Sequence, residues 1–429
     1  MLTTQKLSST GPGTGLLSRA VRVHVIDPSA YTPPYDHALC RALAGAGAEV
    51  TLHTSRFVHG EAPAPEGYER CERFYRAATA LTAGSSRMAA RARGPLKLAE
   101  HVPDMLRYRV AARAADVVHF QWLPVQPLDV HLLPRRRPRL LTAHDILPRE
   151  PRPGQRAAQR RLYERMDAVV VHSHHGRERL TGELGVPPER VHVIPHGVLR
   201  PWEGPGEPGR ADVSGGRSRV AEPAAAEPRL PPELAGAGDG QVVLFFGLLR
   251  PYKGIEDLLA AWQAAGARLP AGAQLWIAGM PRMDVGPLRE AAARADRAGA
   301  PRRVRLLTRF LGDEEIHALL RRAALVVLPY REIEQSGAAF AALGAGAPLL
   351  LSDVGGFPEL AETAGARTFP AGDVSALAGA LAGLLGDPAA LAAMAGAARA
   401  AAAGPYAWEA IARRTLALYE QLLGENPAR

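Results

Sequence analysis

Short apolar runs recur along this chain, each followed by a polar turn and then by apolar residues at helical spacing. In the first half the spacing predicts strands at Val21–Ile26, Glu49–His53, Val117–Phe120, Leu140–Thr142, Ala168–Val171 and Val191–Ile194, and a helix over Tyr35–Ala44. Strands of this kind, alternating with helices, imply a doubly wound parallel sheet buried on both faces. Between Arg200 and Asp239 the rhythm collapses into Pro, Gly, Glu and Ala without periodicity, which reads as a linker disordered at its centre. It restarts with strands at Val242–Phe246, Gln274–Ala278, Val304–Leu307, Leu325–Leu328, Leu349–Leu351 and Arg367–Phe369. Helices are expected between them at Gly254–Ala264, Val285–Ala298 and Asp313–Ala323. The end is all helical: Val374–Leu385, Ala389–Ala402, a break at Gly404-Pro405, and an amphipathic helix over Trp408–Leu423.

The pattern divides the chain into a loose tail (1–19), a first α/β domain (20–199), the linker (200–239), a second α/β domain (240–404) and a C-terminal helix (405–429). A length of 429 residues at 47% hydrophobic content suits two cores. Cys40 and Cys71 are the only cysteines, too few for a disulfide framework or a cysteine zinc site, so a reducing cytoplasm is expected. Met1–Arg19 has no long apolar core and does not read as a signal peptide. No apolar run reaches the roughly 18 residues that span a bilayer.

The formal charge of +9 matters because of where it gathers. Arg87, Arg91, Arg93, Lys97, Arg107, Arg109 and Arg113 crowd one region, and Arg135, Arg136, Arg137 and Arg139 follow. Such a patch suits an anionic partner, whether phospholipid, a phosphorylated acceptor or nucleic acid; the plain alternative is a solvated face. The arginines lack interleaved aromatics, which disfavours nucleic acid.

Two segments carry chemistry. Leu328–Leu360 runs from a buried strand, through Glu332, Glu334, Ser336 and Gly337, into a small-residue helix. Amides at such a helix start point at an anion at the end of a parallel strand. Phe245–Gly254 turns another strand into its helix: Gly247 permits close backbone approach, and Arg250 and Lys253 extend cations from one loop. Each cation offers a phosphate charge about 4 kcal/mol of gross attraction at roughly 4 Å and an effective dielectric of about 20.

In order and spacing, FFGLLRPYKGIEDLLAAW, LWIAG, LLTRFLGDEEIHALL and LPYREIEQSGAAFAALGAGAPLLLSDVGGFPEL resemble the donor domain of glycosyltransferase family 4, a retaining group with the GT-B fold. VVHFQW, LLTAHDI, MDAVVVHS and VHVIPHGV in the first half agree. The resemblance implies two Rossmann-like domains facing a cleft, a nucleotide-sugar in the second domain, the acceptor against the first, and a C-terminal helix crossing back. It implies front-face transfer to a glycan, lipid-linked or secondary-metabolite acceptor; the cysteine count and the basic patch add the expectation of a cytoplasmic protein, peripheral at the inner membrane face if that patch meets phospholipid. Alternatives are a GT-B epimerase or phosphorylase, or a non-catalytic nucleotide-sugar-binding scaffold. No metal or other cofactor is implied.

Residue by residue, the resemblance makes Arg250 and Lys253 diphosphate-binding cations, with Ser336 and Gly337 as the phosphate-gripping helix start and Gly247 beside them. Arg309 and Phe310 fall on the nucleobase loop. Glu334, with Glu332 as the alternative, matches the acid that binds donor-sugar hydroxyls. The second acid of that motif falls at Ala341 or Ala342, so the ribose contact is missing. His144 matches a histidine near the transferred sugar, with Asp145 orienting nearby groups. Glu359 matches a family signature whose plain equivalent is a helix-start acid. A glycine-rich turn after the first strand is replaced by Pro28–Asp36, where Tyr35 and Asp36 are candidate acceptor contacts. His196 reads as a strand-end hinge residue, and His172, His174 and His175 as a poor metal set because neighbours in sequence project apart.

Overall fold

A computed structural model describes residues 19–58, 62–80, 87–147, 153–199, 229–297 and 303–425. The tail as far as residue 18 and the linker centre at 200–228, expected to be loose, lie outside the described residues.

The first domain runs β1 (Arg22–Asp27), α1 (Pro33–Gly45), β2 (Glu49–Ser55), β3 (Glu69–Phe74), α2 (Arg76–Ala80), α3 (Arg87–Ala111), β4 (Val117–Phe120), α4 (Gln126–Leu132), β5 (Arg139–Thr142), α5 (Gln155–Glu164), β6 (Ala168–Val171), α6 (His174–Leu184) and β7 (Val191–Val193). Its sheet is parallel throughout, in the order β3-β2-β1-β4-β5-β6-β7. The chain direction across the sheet reverses between β1 and β4, and the loops after these strands open a crevice there. Every residue of β4 and of β6 is buried; β6 is wholly apolar, and the one polar side chain of β4, His119, is satisfied by Tyr419 and Thr142. The edge strand β3 has the sequence ERCERF, whose polar residues hide it from hydropathy reading. A strand paired on one side only tolerates that composition.

The second domain runs β8 (Val242–Phe246), α7 (Ile255–Ala265), β9 (Gln274–Ala278), α8 (Gly286–Arg297), β10 (Arg303–Leu307), α9 (Asp313–Arg322), β11 (Leu325–Leu328), α10 (Gly337–Gly344), β12 (Leu349–Ser352), α11 (Phe357–Ala364), β13 (Arg367–Phe369), α12 (Val374–Leu385) and α13 (Pro388–Ala403). Its six parallel strands follow the same winding, β10-β9-β8-β11-β12-β13, with the reversal between β8 and β11. Side-chain caps fix three of its helix starts: Ser336, Asp373 and Asp387 accept from Ala339, Ala376 and Ala390 amides.

The last helix, α14 (Trp408–Glu425), packs on α1 of the first domain. Tyr419 Oη lies 2.6 Å from His119 Nδ1, and Trp408 Nε1 donates to Val198 O at 2.8 Å. A Cβ on Gly197 would come within 2.5 Å of the Trp408 ring, so this close crossing needs glycine there. The chain thus crosses back to its first domain after Gly404, as the family resemblance implied.

Two expectations change. The end of the segment read as linker belongs to the second domain: Leu234 is buried in its core, and Glu233 pairs with Arg309. The basic cluster is not one free patch. Lys97 turns over two tyrosine rings, Arg107 pairs with Asp104, Arg139 with Asp167, and Arg137 donates to the Arg113 carbonyl. The side chains of Arg87, Arg91 and Arg93 lie outside the described part of the structure. No single helix among the described residues is long and apolar enough to cross a membrane.

Candidate functional site

The reversal in the second sheet gathers most of the residues singled out from sequence. After β8 the chain passes Gly247, at φ +115°, to Arg250 and a short turn ending at Lys253. Lys253 is 8% exposed, and its ammonium donates to Tyr330 Oη at 2.9 Å while lying 4.6 Å from that ring's centroid. Gly254, at φ +62°, lets the turn approach the β11 end, because a Cβ there would come 1.9 Å from Pro329 O. One residue, Pro329, separates Tyr330 from the end of β11, and the Tyr330 hydroxyl lies 3.4 Å from Ser336 Oγ. The lysine is therefore aimed, through one phenol, at the start of α10. Arg250 Nε is buried without a hydrogen-bond partner in the same loop. A buried ammonium held against the Tyr330 hydroxyl and ring, with the Arg250 guanidinium in the same loop and a capped helix start facing them, suits an anion.

Glu334 precedes the helix start and reaches across to the first domain, where it forms an ion pair with Arg179 on α6. One of its oxygens is buried and unpartnered. Arg179 also pairs with Glu183 at 2.8 Å, and that i,i+4 spacing is its only local signal in the sequence. Glu332 is exposed, and its charge acts on Arg179. Glu359, a helix-start acid in α11, accepts the His174 and His175 amides at 2.8 Å each and so caps α6 of the opposite domain. Nearby, a Cβ on Gly356 would press within 3.1 Å of Ser173 Cβ and 2.8 Å of Gln335 Nε2. The signature GGFPE thus carries an interdomain contact as well as a turn.

The first domain presents a row of aromatic and imidazole rings at the ends of β4 to β7. His144 stacks on Trp122 at 5.0 Å and meets the edge of Tyr35 at 4.8 Å, and His196 stacks on Phe340 of α10 at 4.5 Å. Hydrogen bonds join Gln121 to His144 (3.1 Å), His144 to His172 (3.3 Å) and His172 Nδ1 to the Ile194 carbonyl (2.9 Å). The terminal carbonyl can only accept, so His172 Nδ1 carries the proton and its Nε2 accepts from His144 Nδ1. His144 Nε2 is then an acceptor, satisfied when the Gln121 amide nitrogen, otherwise buried and unpartnered, faces it. Both His144 nitrogens are committed, and burial with its imidazole neighbours pushes its pKa well down.

Burial likewise lowers His172 to about 4 and His119 and His196 to about 3. These groups stay neutral when folded but take protons in the unfolded chain near pH 6.5. Their stabilising contribution is complete above pH 6.5 and declines as pH falls toward 4, by up to about 1.4 kcal/mol per histidine per pH unit. Urea midpoints should therefore drop steadily from pH 7 to pH 5. A midpoint independent of pH over that interval contradicts neutral burial.

Other placements differ from their expected roles. Tyr35 and Asp36 are buried in the first domain, at 4% and 1% exposure, and so do not present side chains to an acceptor in this conformation. Burial and the Asp27 charge hold the Asp36 carboxyl well above the usual carboxylate range. Asp145 is exposed at the end of β5. Arg309 is clasped by Glu233 at 2.7 Å and Glu315 at 2.7 Å, which neutralises it and props its loop, while Phe310 stands 65% exposed. Ala342 is fully buried, so of the two positions for the missing acid only Ala341 is partly open. His172 turns inward while His174 and His175 offer backbone amides to Glu359, and no metal-binding group of three acids, histidines or cysteines occurs among the described residues.

Comparison with known proteins agrees on both halves. Residues 35–198 match the family model "Glycosyltransferase Family 4", and residues 240–387 match "Glycosyl transferases group 1". A glycogen synthase of Mycobacterium tuberculosis is 33% identical over 182 residues, which is 41% of this chain. The match takes in 42% of that relative's length. Among solved structures, sucrose-phosphate synthase from Thermosynechococcus elongatus superposes with a TM-score of 0.65 at 20% identity, covering 94% of this chain and 100% of that one. An α,α-trehalose-phosphate synthase from Burkholderia vietnamiensis gives 0.65 at 15% identity, covering 96% and 100%. Anabaena HepE, solved with UDP and glucose, gives 0.63 at 16% identity, covering 94% and 100%. These likenesses extend over both parallel sheets and give the GT-B architecture. By the models matching its two domains, the chain belongs to glycosyltransferase family 4.

Proposed function

We propose that this protein is a retaining glycosyltransferase that moves a sugar from a nucleotide-diphosphate donor to a glycan, lipid-linked or secondary-metabolite acceptor. The observation that carries the reading is the buried Lys253 ammonium, directed through Tyr330 at the capped start of α10 beside the unpartnered Arg250 Nε. Those cations and the Ser336-Gly337 helix start receive the diphosphate, which becomes more charged as it leaves. The Glu334 carboxylate, exchanging Arg179 for sugar hydroxyls, orients the transferred ring. As the bond from the anomeric carbon to the diphosphate breaks, the acceptor oxygen bonds to that carbon on the same face. Its proton passes to the departing phosphate oxygen. His144, neutral and doubly hydrogen-bonded, positions the acceptor side by way of Trp122 and Tyr35 and takes no part as a nucleophile.

A uridine nucleotide is supported by the Anabaena neighbour, solved with UDP and with UDP-glucose. Ala341 favours a second reading, binding of nucleotide-sugar without turnover, since no side chain there can accept a ribose hydroxyl. Proton NMR of the product formed from an α-linked donor separates retention from its alternatives. An α-linked product is expected; a β-linked product overturns the retaining assignment.

A further inference from the structure

A cavity of about 260 Å3 lies in the first domain, beyond the ends of β1, β2 and β3 and against α3. Lys97 projects into it between two tyrosines, its ammonium 4.7 Å from the Tyr75 centroid and 5.5 Å from that of Tyr31. Arg56, Thr79 and Ser29 also line the wall. The cavity joins the candidate site through rings in contact: Tyr31 meets Trp122 at 5.3 Å, and Trp122 stacks on His144.

The charges around it do not cancel. Asp27 is fully buried, and its oxygens accept the Ser29, Tyr31 and Thr32 amides, fixing the loop that carries Tyr31. The carboxylate that acts on the Lys97 ammonium is Asp27, already engaged by three backbone amides, while Arg56 adds a second cation at the cavity wall. Neither cation forms an ion pair with a carboxylate among the described residues, and burial pulls the Lys97 pKa down against the attraction of Asp27. A bound anion would complete the balance and relieve the desolvated ammonium. The volume falls just below the roughly 300 Å3 at which drug-sized sites begin, which fits one sugar ring. Tyrosine faces suit its C–H surface.

We propose that this cavity seats a monosaccharide-sized acceptor group carrying one phosphate or carboxylate, with Lys97 as its anion-binding residue. The assignment deepens the transferase reading and rests on it. Calorimetric titration of the full chain with glucose 6-phosphate, glucuronate, inorganic phosphate and glucose tests it, with UDP as the donor-side control. Glucose 6-phosphate or glucuronate should bind at least about tenfold more tightly than glucose, and the better of the two names the anion's source. Lys97→Met and Arg56→Ala should each weaken that binding by about tenfold and leave UDP affinity as it was. Arg56 is exposed, so its variant keeps the fold even if the lysine variant does not. Equal binding of neutral glucose, or anion affinity indifferent to both substitutions while UDP still binds, overturns the cavity assignment alone. Failure of wild-type protein to bind UDP, GDP, ADP or dTDP overturns the transferase reading beneath it.

Discussion

Replacing Lys253 by methionine lowers turnover of the nucleotide-sugar donor by about 100- to 1,000-fold, the range seen when one preorganised donor to a developing anion is removed. Methionine keeps most of the buried stem and its packing on Tyr330, so the fold should persist. What is lost is the charge directed at the α10 start. The effect is large because Lys253 is desolvated before the donor arrives, and each interaction it makes with the departing diphosphate is undiluted by water. Release of nucleoside diphosphate, followed alongside a thermal melt, reports both properties. Wild-type turnover in a stably folded Lys253→Met protein is incompatible with the mechanism.

Glu334→Ala should lower turnover by about 10- to 100-fold while leaving the affinity for free nucleoside diphosphate unchanged, since the carboxylate addresses the sugar and not the phosphates. The structure adds a complication that the comparison with Arg179→Ala resolves. Glu334 is held by Arg179 across the interface, so removing the acid also removes an interdomain ion pair. Arg179→Ala breaks that pair but keeps the sugar-binding carboxylate, and its loss of turnover should be smaller. If the two variants lose turnover equally, Glu334 acts through domain contact and has no separate role at the sugar.

The second domain was legible in the sequence almost residue for residue, because its strands are unbroken apolar runs between helices of regular period. β8, β9, β11 and β13 match their expected spans. β3 escaped because an edge strand can be polar. The residues gathered at the reversal of the second sheet were also legible: a glycine turn, two cations and a Ser-Gly helix start are local patterns. What joins the domains was not. Arg179 and Glu334 are distant in sequence, as are Glu359 and the amides of His174 and His175. Nothing in their spacing marks them as partners. The imidazole chain from Gln121 through His144 and His172 was hidden for the same reason, since each member sits at the end of a different strand. Tyr35 and Asp36 show the opposite error. Their position after the first strand made them candidate acceptor contacts, whereas the preceding prolines open α1 and the two side chains are buried in the domain.

The most direct test is calorimetric titration of UDP, GDP, ADP and dTDP into the wild-type chain and into Lys253→Met. One base should be bound by the wild type, and that affinity should fall at least about tenfold in the variant through loss of a charge-assisted contact to the diphosphate. Binding of none of the four nucleotides, or equal binding by the two proteins, would contradict a diphosphate site at Lys253 and the start of α10.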